Sequence, residues 1–335
     1  MFLLLFFSGF CLLFGEENLR VAAVQFEVQE EIYRSKQVFY KTMDTLLREI
    51  THTYTPDIVV FPEYTNVFLS LISYYPIISV SDTFQEAFRK IQRINPGLGH
   101  PGDVFIEQSD TVRDMMDNIW GSLARKYNIF ICPGSAFIAD ADENNIPALF
   151  NRLFLYNNKG QKVYQQNKVF LTPFEEDLLH LSPGAAADAR PTAVNGRDIV
   201  FTLCRDTFFS LWENRFPSAD LWFDCKANGA EYDADQKENF LQALPERITS
   251  GNVPIGCTVC LTGRFLDLLW EGESSVILKS GESYTTAEKS ATFKKQEVLY
   301  FTVSGTSNID TSKPSESLPL LGLRGSIRKR PLFTN

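Results

Sequence analysis

The stretch from Arg197 to Phe208 places one thiol, that of Cys204, between a short apolar run and a polar turn. The run Ile-Val-Phe-Thr-Leu before the cysteine is typical of a buried strand. Arg205 and Asp206 follow directly, and burying such charges is costly unless they are paired or line a site. Cys204 could therefore be a nucleophile. It could also be a small core residue, because unpaired cysteine is among the most buried residue types.

Two ionisable residues, Glu63 and Lys168, also adjoin apolar stretches. Glu63 comes just after the predicted strand 58–61, and α/β folds usually place their sites at the carboxyl ends of strands. The alternative is a solvated glutamate in a loop. Lys168 stands between apolar neighbours, where its charge is expensive unless a carboxylate balances it. The alternative is a side chain that reaches the surface.

Metal and disulfide chemistry are poorly supported by the sequence. The three histidines argue against a histidine-rich metal site and leave few bases for a Ser-His or Cys-His pair. Cys257 and Cys260 form a lone CxxC motif within a predicted strand. Residues three apart on a strand point to opposite faces, so this pair is badly placed to share a metal or to form a disulfide. We interpret both as structural thiols.

Strand and helix patterns alternate near both ends of the chain, with a hairpin between them. Apolar runs predict strands, helical spacing of apolar residues predicts helices, and Asn157 to Gly160 predicts the hairpin turn. The segment 66–101 is hydrophobic and irregular apart from a helix near 83–94, and it could wall a pocket. No GxGxxG or P-loop motif follows a strand, which removes the commonest nucleotide sites. One α/β domain with a mixed sheet is the simplest interpretation.

The two ends of the chain differ from the predicted domain at 19–303. Residues 1–18 contain an apolar run of the length found in signal peptides, so we expect a signal peptide or an N-terminal anchor and an extracytoplasmic, secreted or periplasmic protein. A buried N-terminal segment is the alternative. Residues 304–335 are polar and end in a basic cluster, which indicates a disordered tail. The net charge of −9 argues against a nucleic-acid partner.

Three short motifs in a fixed order resemble those of the nitrilase, or carbon-nitrogen hydrolase, superfamily. They are Phe61-Pro62-Glu63, Lys168-Val-Phe-Leu171 with Pro173-Phe174, and Leu203-Cys204-Arg-Asp206. Each motif is weak by itself, but the three in this order make a strong resemblance, which extends from about Leu19 to Val303. The resemblance implies a four-layer α-β-β-α sandwich with mixed sheets. Members of this family often pair their sandwiches, so a homodimer is expected on the same basis.

The resemblance also implies a Glu-Lys-Cys catalytic triad that needs neither a metal nor a cofactor. Glu63 would take the proton of Cys204, because the thiolate is the competent nucleophile. The thiolate would attack the carbonyl of a small-molecule amide. Lys168 and the backbone N–H of Arg205 would stabilise the oxyanion. Glu63 would then protonate the departing amine, and water would cleave the thioester.

Two further positions are expected to contact the substrate or the triad. Some branches of the superfamily carry a second glutamate beyond the lysine. Glu176 stands at that spacing, and Glu175 is the adjacent candidate. Arg205 lies where the family often has an aromatic residue. Its guanidinium could favour the thiolate or attract an anionic substrate group, or it could simply pair with Asp206 or a nearby glutamate.

The function predicted from the sequence is an exported thiol amidohydrolase, and two alternatives remain. The run 171–176 is similar to the catalytic domain of apolipoprotein N-acyltransferases, which transfer an acyl group to an amine. Those enzymes have several membrane helices, whereas this sequence has no apolar stretch of 18 residues. Membrane contact is therefore expected only through the N-terminal segment, if that segment is not cleaved. A non-catalytic binding protein on the same scaffold is the second alternative.

Overall fold

A computed structural model describes residues 18–141, 146–305, 308–313 and 315–318. The predicted signal peptide or anchor lies almost wholly outside these residues, as does the basic end of the predicted tail. Among the described residues, no helix combines the length and the apolar character that crossing a membrane requires.

The structure combines strands and helices. The fifteen strands in the described residues are β1 Leu19–Val28, β2 Ile58–Val60, β3 Phe130–Cys132, β4 Ser135–Ala141, β5 Pro147–Tyr156, β6 Lys162–Asn167, β7 Thr192–Val194, β8 Arg197–Leu203, β9 Leu221–Lys226, β10 Ile255–Phe265, β11 Leu268–Trp270, β12 Ser275–Ser280, β13 Ser283–Lys289, β14 Glu297–Ser304 and β15 Asn308–Asp310. The α-helices there are α1 Lys36–Tyr54, α2 Tyr75–Ile78, α3 Phe84–Ile94, α4 Pro101–Tyr127, α5 Leu211–Arg215, α6 Ala234–Leu241 and α7 Leu244–Ser250.

The strands form two mixed sheets. In the first sheet, β1, β2 and β3 are parallel, and β4, β5, β6, β14 and β15 complete it with antiparallel pairings. In the second sheet, β8, β9 and β10 are parallel, and β7, β12 and β13 are antiparallel. The sheets join where the carboxyl end of β1 pairs with β10, from Phe26 opposite Leu261 to Val28 opposite Gly263. The strand ends at this join therefore lie close together.

Three hydrophobic layers separate the sheets and helices. Alternate residues of β1 face opposite ways: Ala22 and Val24 pack in the cluster that contains the apolar faces of α1 and α4, whereas Val21 and Ala23 pack against the second sheet. On the far side of the second sheet, β9 contributes Trp222 to a smaller cluster with α5 and α7. The order is helices, sheet, sheet, helices. The predicted four-layer α-β-β-α sandwich is therefore confirmed.

Several local features differ from the expectations. Helix α4 begins at Pro101; proline is compatible with a first helical position, and the His100 side chain accepts from the Gly102 N–H. The segment 66–101, expected to be irregular apart from one helix, consists of a 3₁₀ helix followed by α2 and α3. Part of the segment expected to be a disordered tail forms β15, which pairs with β14.

Candidate active site

Glu63 is completely buried in the loop that follows β2. Its Oε1 accepts from Asn151 Nδ2 at 2.8 Å, and its Oε2 accepts from the backbone N–H of Ala227 at 3.1 Å. The loop packs tightly against Gly134, whose φ is 75°; a Cβ there would lie 1.8 Å from the carbonyl oxygen of Pro62. Glycine is therefore required at this contact. The Glu63 carboxylate is held by donors from two other parts of the chain.

Lys168 directly follows β6 and is only 1% exposed. Its Nζ lies 2.9 Å from Glu63 Oε1 and 2.8 Å from Glu175 Oε2. Glu175 is also fully buried, and its Oε1 accepts from the Tyr64 hydroxyl at 2.7 Å and from Asn151 Nδ2 at 2.8 Å. One ammonium is thus shared by two carboxylates. The surface alternative for Lys168 does not apply.

Cys204 begins a short 3₁₀ helix, Cys204–Phe208, immediately after β8. Its φ is 49°, in the left-handed region that costs an L-residue about 1–2 kcal/mol. Among the five described cysteines, Cys204 alone is partly exposed, and the other four are buried. A sharp turn at the end of a buried strand therefore holds Cys204 in a partly exposed position.

The pKa values in the cluster differ in a way that suits proton transfer. Burial raises the pKa of Glu63 to about 7, although the nearby Lys168 ammonium opposes that rise. For Glu175 the balance is reversed: burial works against ionisation, but Lys168 and several hydrogen bonds lower its pKa. Lys168 has a raised pKa because two carboxylates outweigh its burial. Lys168 and Glu175 therefore stay charged, and Glu63 is the member that titrates near neutral pH.

The thiol itself is protonated at rest. Burial raises the pKa of Cys204 to about 12, the Glu63 charge adds to the rise, and the ammonium groups of Lys168 and Lys226 oppose it. A thiolate thus has to be generated at the moment of attack, by a base that can accept its proton. Glu63 is the nearby carboxylate whose charge acts on this thiol, and its pKa of about 7 lies near neutral pH.

Asp206 connects the turn that carries Cys204 to the segment that carries Lys168. It is completely buried, and its carboxylate accepts from the backbone N–H groups of Val169, Phe170 and Leu203 at 3.1, 2.8 and 3.3 Å. Burial raises the pKa of Asp206 to about 7, although these N–H donors lower it. This carboxylate therefore serves as a structural acceptor between two sheets.

The structure distinguishes the other predicted positions. Glu175, not Glu176, lies in the cluster; Glu176 is exposed, because the turn Phe174–Leu178 directs only its second residue inward. Glu176 was therefore wrong as the inward-facing glutamate. Arg205 is partly exposed, and its guanidinium donates to the carbonyl oxygen of Leu171. The Asp206 carboxylate accepts from backbone N–H groups, so the contacts of the two side chains differ from the suggested Arg205–Asp206 ion pair.

Several contacting residues were not identified from the sequence. Asn151 lies on β5 just before the predicted hairpin strand, and its side chain bridges Glu63 and Glu175. Asp224 and Lys226 form a second buried ion pair at the carboxyl end of β9. The sequence does contain an indication of these positions. Asn151, Asp224 and Lys226 are polar residues that extend runs of buried apolar residues.

Among the described residues, Cys257 and Cys260 form no disulfide, and no metal site is evident. Cys257 packs in the core between the sheets, and Cys260 on the same strand is also buried; both are free thiols. In the part of the chain that the structure describes, no three His, Cys, Asp or Glu side chains are grouped as metal ligands would be.

Solved structures share this fold at low sequence identity. A carbon-nitrogen hydrolase from Helicobacter pylori G27 superimposes with a TM-score of 0.60 at 14% identity, over 86% of this chain and 89% of that one. A cysteine-to-alanine mutant of the amidase from Nesterenkonia sp. AN1, in complex with butyramide, gives 0.55 at 16% identity, over 86% and 91%. A glutamate-to-glutamine mutant of that amidase, with acrylamide added to its active-site cysteine, gives 0.52 at 16%, over 81% and 91%.

These likenesses establish the fold. It is the fold of the nitrilase, or carbon-nitrogen hydrolase, superfamily, as the three sequence motifs predict. No protein-family model matches the sequence, and no curated protein matches it either. The structural neighbours include an amidase with an active-site cysteine.

Proposed function

We propose that the chain is a thiol amidohydrolase that cleaves a non-peptide amide bond through a thioester on Cys204. The observation that carries this proposal is a buried Glu63–Lys168 pair whose charges both act on the Cys204 thiol, with a Glu63 pKa of about 7. A base with a pKa near neutrality can take a proton from the thiol and later return it to a leaving amine. Glu175 supports this role, because it remains the charged partner of Lys168 in both states of Glu63.

In the acylation step, Glu63 accepts the thiol proton while the sulfur of Cys204 attacks the amide carbonyl carbon. The carbonyl oxygen becomes an oxyanion, and the buried Lys168 ammonium and the backbone N–H of Arg205 stabilise it. The C–N bond then breaks, and Glu63 protonates the departing amine. The products of this step are the free amine and an acyl group bound to the sulfur of Cys204.

In the deacylation step, water replaces the amine. Glu63 accepts a proton from water as the oxygen attacks the thioester carbonyl, and the same donors stabilise the second oxyanion. Collapse of this intermediate breaks the C–S bond. The carboxylic acid leaves, and the Cys204 thiol recovers its proton from Glu63. Every proton transfer is thus performed by a residue of the cluster.

Denaturing mass spectrometry tests the proposal. The protein is incubated with pools of small amides and activated esters, and the intact mass is searched for an acyl adduct. We expect an adduct that is absent in Cys204→Ala and retained in Cys257→Ala, a matched loss of a buried thiol in the core between the sheets. Glu63→Gln should abolish turnover of amides. If no substrate gives an adduct and Glu63→Gln changes no turnover, the chain is a binding protein on this scaffold.

The same experiment separates hydrolysis from acyl transfer. With a primary amine added, an N-acylated product in place of the free acid would favour the transferase alternative. Export, anchoring by residues 1–18 and pairing into a homodimer also remain proposals. Fractionation of cells that express the full chain should place it outside the cytoplasm. A precursor that changes neither size nor compartment would reject export.

A further inference from the structure

The carboxyl end of β9 carries a buried ion pair that the proposed reaction does not use. Lys226 Nζ lies 2.8 Å from Asp224 Oδ2, and the two side chains are 1% and 0% exposed. The residues are two apart on a strand, so they project from the same face. A buried ion pair is a weak contributor to stability, because removing both charges from water offsets most of their attraction. Its position next to the nucleophile therefore calls for a different explanation.

The pair holds one particular atom, the carbonyl oxygen of Cys204. This oxygen accepts from Lys226 Nζ at 3.2 Å and from Thr207 Oγ1 at 2.7 Å. Thr207 Oγ1 also lies 3.1 Å from Lys226 Nζ and 3.0 Å from Asp224 Oδ2. The ammonium, the hydroxyl and the carboxylate thus form one buried network around a single peptide group.

That peptide group is the one that joins Cys204 to Arg205, and its other polar atom is the Arg205 N–H. A trans peptide is planar, so its C=O and N–H point in opposite directions. The N–H lies in the first turn of a short helix, where backbone donors have no partner within the helix. Donors fixed on the carbonyl therefore also fix the direction of the free N–H.

The cation affects the strength of this donor as well as its direction. A positive charge on the carbonyl oxygen polarises the amide, which makes the N–H a better hydrogen-bond donor. Asp224 keeps the ammonium in place and balances its charge. The rings of Phe208 and Phe240 lie with their centroids 5.0 and 5.2 Å from Lys226 Nζ, so the ammonium is also held on its aromatic side.

We propose that Lys226 and Asp224 are a positioning pair for the oxyanion site: they clamp the Cys204 carbonyl so that the Arg205 N–H is aligned and polarised toward the developing oxyanion. Neither residue touches the substrate. This inference rests on the proposed thiol amidohydrolase function, and it assigns to the second ion pair a part in acylation that is separate from proton transfer by Glu63.

Two reactions of Cys204 separate this role from a structural one. Acetylation by p-nitrophenyl acetate passes through an oxyanion, whereas alkylation by iodoacetamide displaces iodide at a saturated carbon and forms none. Both rates are measured by intact mass on the full chain. The test variant is the double substitution Asp224→Asn with Lys226→Met, which removes both charges at similar volume and leaves no unpaired buried charge. Lys237→Met is the control, because this exposed lysine lies over the rings of Tyr232 and Phe293, away from the Cys204 carbonyl network described above.

We expect the double variant to acetylate about 10- to 100-fold more slowly, somewhat less than the loss seen when an oxyanion donor is removed outright. Its rate of alkylation should stay within about threefold of the wild-type rate. Lys237→Met should change neither rate. Equal acetylation rates in the double variant and the wild type would overturn the inference, as would an equal loss in both reactions, which would mean that the pair acts on the thiol itself.

The outcome for the wild-type chain distinguishes the two proposals. If wild-type Cys204 is alkylated but is never acylated by the ester or by any amide, the proposed function fails. If it is acylated and the double variant behaves like it, only the positioning role fails. Should the double variant not fold, Thr207→Val removes the other side-chain donor on the same carbonyl, and the same selective loss of acetylation, smaller in size, is expected. Lys226→Arg keeps the positive charge, so its rate of acetylation should lie between those of the double variant and the wild type.

Discussion

Glu175 Oε2 lies 2.8 Å from the ammonium nitrogen of Lys168, so Glu63 is not the sole counter-ion of that lysine. The two buried carboxylates share one positive charge. Because Glu175 has the lowered pKa and Glu63 the raised one, the protonation of the cluster changes at Glu63.

The acid limb of activity should lie near pH 7. In the proposed mechanism Glu63 has to be ionised to accept the thiol proton, and its pKa is about 7. The value of kcat/KM should therefore rise as the pH increases through about 7, since this ratio reports the free enzyme. A pH–rate profile on an amide substrate measures it. A limb near pH 4.5, the ordinary value for glutamate, would contradict the assignment.

Glu175→Gln should move that limb to lower pH. The Glu175 charge raises the pKa of Glu63, and its removal leaves the Lys168 ammonium to Glu63 alone. The pH–rate profile of this variant is compared with that of Glu176→Gln. The second substitution changes the exposed neighbour and should leave the limb where it is. An unmoved limb in Glu175→Gln would show that a different group controls the profile.

Glu63→Gln should gain stability relative to the wild type as the pH rises. The folded-state pKa of Glu63 is raised from 4.5 to about 7, so its favourable contribution is complete below about 4.5 and is lost as the pH rises through about 7. Glutamine has no such dependence. Urea unfolding measures the free energy of unfolding of the variant minus that of the wild type. This difference should be on the order of 1–3 kcal/mol larger at pH 8 than at pH 4.5. An equal difference at both pH values would exclude this linkage.

Asp206→Ala should lower both stability and activity. It leaves the N–H groups of Val169, Phe170 and Leu203 without their acceptor in a buried region, and each unsatisfied group costs about 1–3 kcal/mol. We expect a loss of at least about 2 kcal/mol in urea unfolding. Asp198→Ala, at an exposed aspartate on β8, the strand that precedes Cys204, is the control. Equal stability of the two variants would argue against the connecting role.

Arg205→Gln should change the preference for substrate charge without removing the oxyanion donor. The backbone N–H remains, whereas the guanidinium of this partly exposed residue, which donates to the carbonyl oxygen of Leu171, is lost. For a matched pair of amides, one with a free carboxylate and one neutral, we expect the ratio of kcat/KM values to fall about tenfold, with the neutral amide little affected. If both amides lose activity equally, Arg205 does not select for charge.

The fold and the meeting of the main site residues could be predicted from local patterns and motif order. The apolar strands before Glu63 and Cys204 are short and clearly bounded, and the motif order implied the sandwich. The choice between Glu175 and Glu176 could not be made in this way. It depends on a single π-helical turn, and adjacent residues in such a turn face in different directions.

Other features depended on contacts distant in sequence. Asp224 and Lys226 are charged, and a buried strand was not expected to continue through them, yet each supplies the partner that the other needs. The same holds for Asn151, whose two acceptors are 88 and 24 residues away. Polar residues in a core can be located only when the tertiary structure shows what pairs with them.

The carboxyl end of β9 contacts both the proposed base, Glu63, and the proposed nucleophile, Cys204. The backbone N–H of Ala227 holds the Glu63 carboxylate, and the preceding residue, Lys226, holds the carbonyl of Cys204. Consecutive residues of a chain cannot move apart, so this dipeptide acts as a covalent spacer between base and nucleophile. Because adjacent residues make the two contacts, a displacement of the end of β9 would shift both groups in the same direction.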